Sequence, residues 1–163
     1  MTETDDFQTR LETLAPLIVD GCPHAVELGF RIDTLARGHC AMSAPYSQEL
    51  VGDPETGTLH GGVITALLDH ACGIAAFAGL GAVDTPATLD LRIDYMRPAR
   101  PGMTVTAEAH SLKSHGLVAI VRATAHDGDA EDPVAVAQAA FMVSKASKAA
   151  HERAMREMKG GTE

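Results

Sequence analysis

The segment TLHGGVITALLDHACG, residues 58–73, decides how the rest of the chain is read. It opens on His60-Gly61-Gly62, runs apolar for most of its length and carries one carboxylate, Asp69, in its middle. Taking even a neutral polar group out of water without a partner costs about 2–7 kcal/mol, and a charge costs more. A chain keeps such a residue where the charge is paired or used. From about Gly62 to Ala78 the side chains are apolar nearly all round, which predicts a helix enclosed by other structure. Read as a membrane span, Val63–Leu80 is at the short limit and contains Thr65, Asp69, His70, Gly73 and Gly79. A buried helix, with no membrane partner, is the expectation.

Upstream, Phe7, Leu11, Leu14 and Ile18 fall at steps of three and four within residues 5–19, the spacing of one face of a short amphipathic helix. Gly21 and Pro23 stop it. Residues 26–34 and 38–46 read as two strands around LARGH, with Gly29 and Gly38 at bulge or turn positions. Residues 47–58, SQELVGDPETGT, are dense in turn formers and read as a loop leading into His60. After a turn at GLGAVDTPA, residues 79–87, four strands follow. In residues 88–96 Leu89, Leu91, Ile93 and Tyr95 alternate with polar residues, and in residues 103–110 Met103, Val105, Ala107 and Ala109 do the same. Residues 117–126 and 134–143 complete the set, joined by RPARPG and DGDAEDP turns.

Helix, two strands, a long buried helix and four strands is a segregated order. It predicts an α+β fold, an antiparallel sheet wrapped round the apolar helix. With no internal repeat or linker, residues 1–163 read as one domain, its core over about 24–145 and a charged tail over 146–163.

Composition narrows the partners. Thirteen basic against twenty-two acidic residues give a net charge of −9, so no nucleic-acid partner is expected and any anionic ligand needs a local basic cluster. Cys22, Cys40 and Cys72 form neither a CxxC pair nor an even disulfide framework, which fits a reducing, cytoplasmic compartment. The acidic start MTETDDFQTR is the opposite of a secretory leader.

Tandem glycines at a helix start leave outward N–H groups which, with the positive end of the helix dipole, form a cradle for an oxyanion, carboxylate or phosphate. A carboxylate on the same helix can serve as general base or as nucleophile toward an acyl carbon. Either feature alone has a structural explanation; together they favour catalysis. Gly61 and Asp69 are eight positions apart, about 12 Å along a helix, and cannot act on one carbonyl from one helix. The site therefore requires Gly61 of one chain and Asp69 of another, brought together by antiparallel helices about a two-fold axis. A metal site is not expected, because His60 lies nearly a helix length from His70 and zinc needs three or four converging ligands. No cofactor is expected either. Cys72, on the buried helix without a basic neighbour, reads as a small hydrophobe.

GTLHGGVITALLD, residues 57–69, followed by TLDLRIDYMRPARPG, residues 88–102, resembles the PaaI-type acyl-CoA thioesterases of the hotdog-fold superfamily over about residues 24–145. The resemblance implies a long helix wrapped by an antiparallel sheet, subunits paired edge to edge as a dimer or dimer of dimers, active sites at the dimer interface, and an acyl-CoA substrate. It puts the catalytic acid on Asp69, as base or nucleophile, and the donor to the thioester oxygen on the N–H of Gly61. His60 sits beside that donor, Gly62 follows it at the substrate side, and Thr88 supplies the hydroxyl that places water. Where relatives carry an Asn before His-Gly-Gly, the nearest residue here is Asp53, one position out of the usual spacing. An ionised Asp has no amide donor. Arg97 and Arg100, with Lys113 and Arg122 behind them, are the basic residues placed to hold coenzyme A phosphates.

Two other readings stay open at this point. A non-catalytic acyl-CoA or acyl-lipid binding module would share the fold, although Asp69 counts against it. A hydratase would need a histidine five residues after the acid, where Ile74 stands.

Overall fold

The computed structural model describes residues 8, 9, 11, 13, 18–80, 85–115 and 118–144. The charged tail expected over 146–163 lies outside the described residues, as do Phe7 and Leu14. Described residues between 8 and 20 are helical; Leu11 and Val19 are buried and Ile18 packs on the core.

The first difference from the sequence reading comes at Pro23. It starts a helix, α1 (Pro23–Glu27), because proline is pre-set for the first helical turn. Phe30 N–H bonds Ala25 O at 2.9 Å and Gly29 N–H bonds Val26 O at 3.0 Å, the paired closure in which the residue after the cap is left-handed. Gly29, at φ +69°, supplies it. The strand expected from residue 26 therefore begins only at Arg31: β1 (Arg31–Ala36) pairs with β2 (His39–Ala44) through a turn in which Gly38 has φ +70°.

The expected loop at 47–58 contains a 3₁₀ turn, Gln48–Leu50, and a two-stranded ribbon, β3 (Val51–Asp53) with β4 (Thr58–Leu59). The long helix α2 spans Gly61–Leu80, and β5 (Thr85–Tyr95), β6 (Val105–His115), β7 (Val118–His126) and β8 (Ala135–Ser144) follow. Six strands form one antiparallel sheet in the order β1-β2-β6-β7-β8-β5. It wraps α2, as expected.

Small residues make the wrap close. Ala107, Ala109, Ala119, Ala123, Ala125, Ala135, Ala137 and Ala139 point inward from three adjacent strands and are buried. A Cβ on Gly73 would stand 3.4 Å from the Phe141 ring, and one on Gly79 3.0 Å from Ser111 Oγ. A chain with 4% aromatic residues thus fills its core by bringing helix and sheet backbones together. On α2, Ala66, Asp69, His70, Gly73 and Phe77 are only half-buried. They form a stripe at steps of three and four, the helix face that one subunit's sheet leaves open.

On β5 the alternation breaks once. Thr88 pairs with Phe141 and Asp90 with Ala140, so Leu89 is the extra residue of a bulge and is 55% exposed instead of facing the helix. Met103 is also exposed, because β6 begins only at Val105.

The segment after β5 is pinned by a buried carboxylate. Asp127, fully buried between β7 and β8, accepts from Arg97 at 2.9 and 2.7 Å and from Arg100 Nη2 at 2.7 Å. The Arg100 backbone N–H adds a bond of 2.7 Å. Arg97 also pairs with Asp132 at 2.9 Å. The Arg97 bonds, followed by those of Arg100, hold the Asp127 carboxyl well below the usual carboxylate range despite its burial.

Asp127→Asn is expected to cost about 3 kcal/mol and lower Tm by about 6–12 °C, because it strands buried donors and charge. A melt by circular dichroism checks it. The sign with pH is fixed: below about pH 4 the unfolded Asp127 binds a proton that the native one refuses, so its contribution falls as pH falls. The variant is expected to lose that part of the acid slope.

Candidate active site

The N-terminus of α2 is built around His60. Its N–H bonds Leu50 O at 2.9 Å, and its Nδ1 accepts the Gly62 N–H at 2.9 Å. As an acceptor Nδ1 carries no proton, which leaves the ring proton on Nε2, on an exposed side chain. Two glycines make room for the ring: a Cβ on Gly52 would lie 2.7 Å from His60 Cα, and one on Gly62 2.8 Å from Nδ1.

Gly61 between them is held by its carbonyl, which accepts from Tyr95 Oη at 2.8 Å and Thr65 Oγ1 at 3.1 Å. Tyr95 and Thr65 also bond each other at 2.7 Å. The Gly61 N–H has no acceptor among the described residues. It is an outward donor at the positive end of a 20-residue helix.

Two turns further on, Asp69 Oδ1 accepts from Thr88 Oγ1 at 2.9 Å. The bulge at Leu89 preserves the inward setting of Thr88, opposite Phe141. Asp69 Oδ2 has no protein partner among the described residues. Both residues line a cavity of about 390 Å³ whose other walls include Ile18, Gly73, Ile74, Phe77, Pro86 and Phe141. It is an apolar chamber with a carboxylate and a hydroxyl at one side.

Of the residues singled out in the sequence, the structure brings together His60, Gly61 and Gly62 as one group and Asp69 with Thr88 as another. It keeps the two groups about 12 Å apart along one helix. Asp53 turns away from both: its carboxylate accepts from Thr56 Oγ1 at 2.7 Å and Glu55 N–H at 3.0 Å within the β3–β4 turn. The Thr56 hydroxyl, then the Glu55 N–H, lowers its pKa. Arg97 and Arg100, expected to face coenzyme A phosphates, are bonded to Asp127. His60, Asp69 and His70 do not converge as a metal-ligand cluster among the described residues.

His70 borders the same cavity as Asp69 and meets Phe30 edge-on at 6.4 Å. Burial, then His24, lowers its pKa, against the pull of Asp69. Cys72 and Cys40 are buried with thiols pushed up to about 12, chiefly by burial, with Asp69 also acting on Cys72 and Asp33 on Cys40. Neither supplies a thiolate near neutral pH.

Gly52 and the Tyr95 hydroxyl are the site residues that sequence reasoning missed. Gly52 is legible only as part of a turn, and Tyr95 meets Gly61 across 34 positions of chain.

Known proteins share this fold. A family model described as the thioesterase superfamily matches residues 56–134. The medium/long-chain acyl-CoA thioesterase YigI of Salmonella typhimurium is 27% identical over 149 residues, covering 83% of this chain and 95% of its own. A crystal structure of a Pseudomonas aeruginosa protein is 36% identical with a TM-score of 0.74, covering 81% of this chain and 98% of that one. The N33D mutant of the phenylacetic acid degradation protein PaaI from Thermus thermophilus is 26% identical with a TM-score of 0.65, covering 74% and 98%. With the wrapped helix and the His-Gly-Gly start in place, the chain belongs to the thioesterase superfamily, as a thioester hydrolase of the hotdog fold.

Proposed function

We propose that the protein hydrolyses acyl-CoA thioesters, of medium-chain acids foremost, at sites shared between two copies of the chain. The observation that carries this reading is the Asp69 carboxylate. One of its oxygens is fixed by Thr88 and the other has no partner among the described residues, in an apolar cavity, on a helix whose first N–H likewise has no acceptor among them.

In this mechanism a water held by Asp69 Oδ2 and the Thr88 hydroxyl attacks the thioester carbonyl and gives its proton to Asp69. The carbonyl oxygen takes up charge against the Gly61 N–H and helix dipole of the partner copy, with His60 Nε2–H as a second donor. The tetrahedral adduct collapses by breaking the C–S bond. The thiolate of coenzyme A, whose conjugate acid sits near the ordinary thiol pKa of about 8.5, needs little help to leave and takes the proton back from Asp69 or solvent.

Sharing between copies is supported by the edge strand β5. Among the described residues it has no strand partner on its outer side, and its Leu89, Tyr95 and neighbouring Met96 are 55%, 51% and 61% exposed. A long edge with exposed apolar residues is a pairing surface. A two-fold at that edge sets the open stripe of α2 against its copy, in a dimer or dimer of dimers.

Medium chains are supported by the apolar cavity of about 390 Å³, within the usual range for ligand sites, and by the name that the YigI relative carries. Arg100, whose side chain is 56% exposed while bonded to Asp127, keeps surface for the coenzyme A phosphates, with Arg97 as its anchor. Asp53 shapes the turn beside the site, and Gly62 keeps His60 in place. All three cysteines are free, which supports a reducing, cytoplasmic setting.

Coenzyme A release from acetyl-, hexanoyl-, decanoyl-, phenylacetyl- and hydroxybenzoyl-CoA tests the reading, with an enzyme-only blank for Cys22. The highest kcat/KM is expected on hexanoyl- or decanoyl-CoA. Saturable binding of these esters without turnover would assign the site to a binding module instead.

A further inference from the structure

The outer face of the sheet carries a group of side chains for which hydrolysis has no use. His39 on β2 and His110 on β6 are direct cross-strand partners, their ring centroids 4.5 Å apart and the planes tilted by 31°. Glu108 lies two residues before His110, hence on the same face. One donor atom from each of the three lies within 4.8 Å of the other two. Next to them on β7, His126 brings Nε2 to 3.7 Å from Glu108 Oε1. Its Nδ1 accepts the Gly128 N–H at 3.3 Å, so the ring proton is on Nε2, which is buried and has no hydrogen-bond partner among the described residues.

The geometry points to a binding site for a divalent transition-metal ion of the zinc, nickel or copper class, with His39, His110 and Glu108 as ligands and His126 as the residue that orients Glu108. Two imidazoles and one carboxylate suit these ions, whereas calcium and magnesium call for oxygen alone. A tetrahedral ion at about 2.0–2.1 Å from its donors sets them about 3.3 Å apart, so side-chain rotation closes the present spacing without moving the strands. The β2–β6 ladder already fixes the backbones of His39 and His110, which lowers the ordering cost. Three protein ligands leave one position for water or an outside ligand. A net charge of −9 favours a cation. Cys40 and Ala109, the neighbours of His39 and His110 along their strands, point inward and are buried, so the site is on the sheet face away from α2. The ion pins β2 to β6 and takes no part in thioester cleavage; the inference does not depend on the hydrolase reading.

The test uses tag-free protein dialysed against a chelator and titrated with Zn²⁺ by calorimetry and with Co²⁺ by visible absorption. About one equivalent per chain is expected, with a d–d spectrum of low-coordinate cobalt, no thiolate charge-transfer band, and a rise in Tm on adding zinc. Affinity is expected to fall at least tenfold in His110→Ala and in Glu108→Gln, and about tenfold in His126→Asn. Melts of the metal-free variants confirm that each is folded. Absence of saturable binding by the wild type, or binding unchanged in the His39→Ala/His110→Ala double variant, would overturn the assignment.

Discussion

Asp69→Asn is expected to lower kcat on a medium-chain acyl-CoA by about 10²–10⁴-fold, the usual worth of a positioned general base. The amide oxygen of Asn can still accept from the Thr88 hydroxyl that Asp69 Oδ1 accepts at 2.9 Å, so the local fold is kept. What the variant lacks is a second oxygen able to take a proton from water. KM is expected to change little, since Asn has nearly the shape of Asp and the apolar walls of the cavity are untouched. Steady-state coenzyme A release with a matched thermal melt measures both. A folded variant that keeps activity within a few fold of wild type would place the base elsewhere.

Gly61→Pro is expected to lower kcat/KM by about 10²–10³-fold, the cost of deleting one oxyanion donor. Proline is tolerated at a first helical position because the N–H it lacks has no intrahelical acceptor. A Cβ there would stand 3.7 Å from Tyr95 Oη, an ordinary contact, and the carbonyl bonds from Tyr95 and Thr65 survive. The substitution thus removes the one donor and little else. Gly61→Ala is the control: it keeps the N–H and is expected to stay within a few fold of wild type. Equal losses in both variants would show that crowding, not the donor, is responsible.

The fold was legible because its main signal is gross: an apolar helix cannot stand alone, and the strands after it alternate with period two. The misreadings were local. Gly21 and Pro23 do end the first helix, but Pro23 also starts α1, so the strand read from residue 26 begins only at Arg31. Leu89 fits the alternation perfectly well until a bulge removes it from the register, and bulges depend on cross-strand pairing that one strand's sequence does not contain. The same limit governs the site. His60, Gly61, Gly62 and Asp69 share one short segment, so spacing reveals them. The commitment of Arg97 and Arg100 to Asp127 spans 30 and 27 positions, and residue type alone gave them the look of free cations. Sequence identifies which residues can do chemistry more readily than which are already occupied.

The measurement closest to the central claim is activity restored by mixing two inactive chains. Asp69→Asn keeps an intact Gly61, and Gly61→Pro keeps an intact Asp69. If each site takes Gly61 from one copy and Asp69 from the other, a mixed dimer contains one complete site and one doubly damaged site. Equal co-expression of the two variants is expected to recover about a quarter of wild-type activity, half the randomly paired dimers being mixed and each holding one good site of two. Activity no higher than the average of the two parents, in mixed dimers shown to have formed, would contradict a site shared between copies.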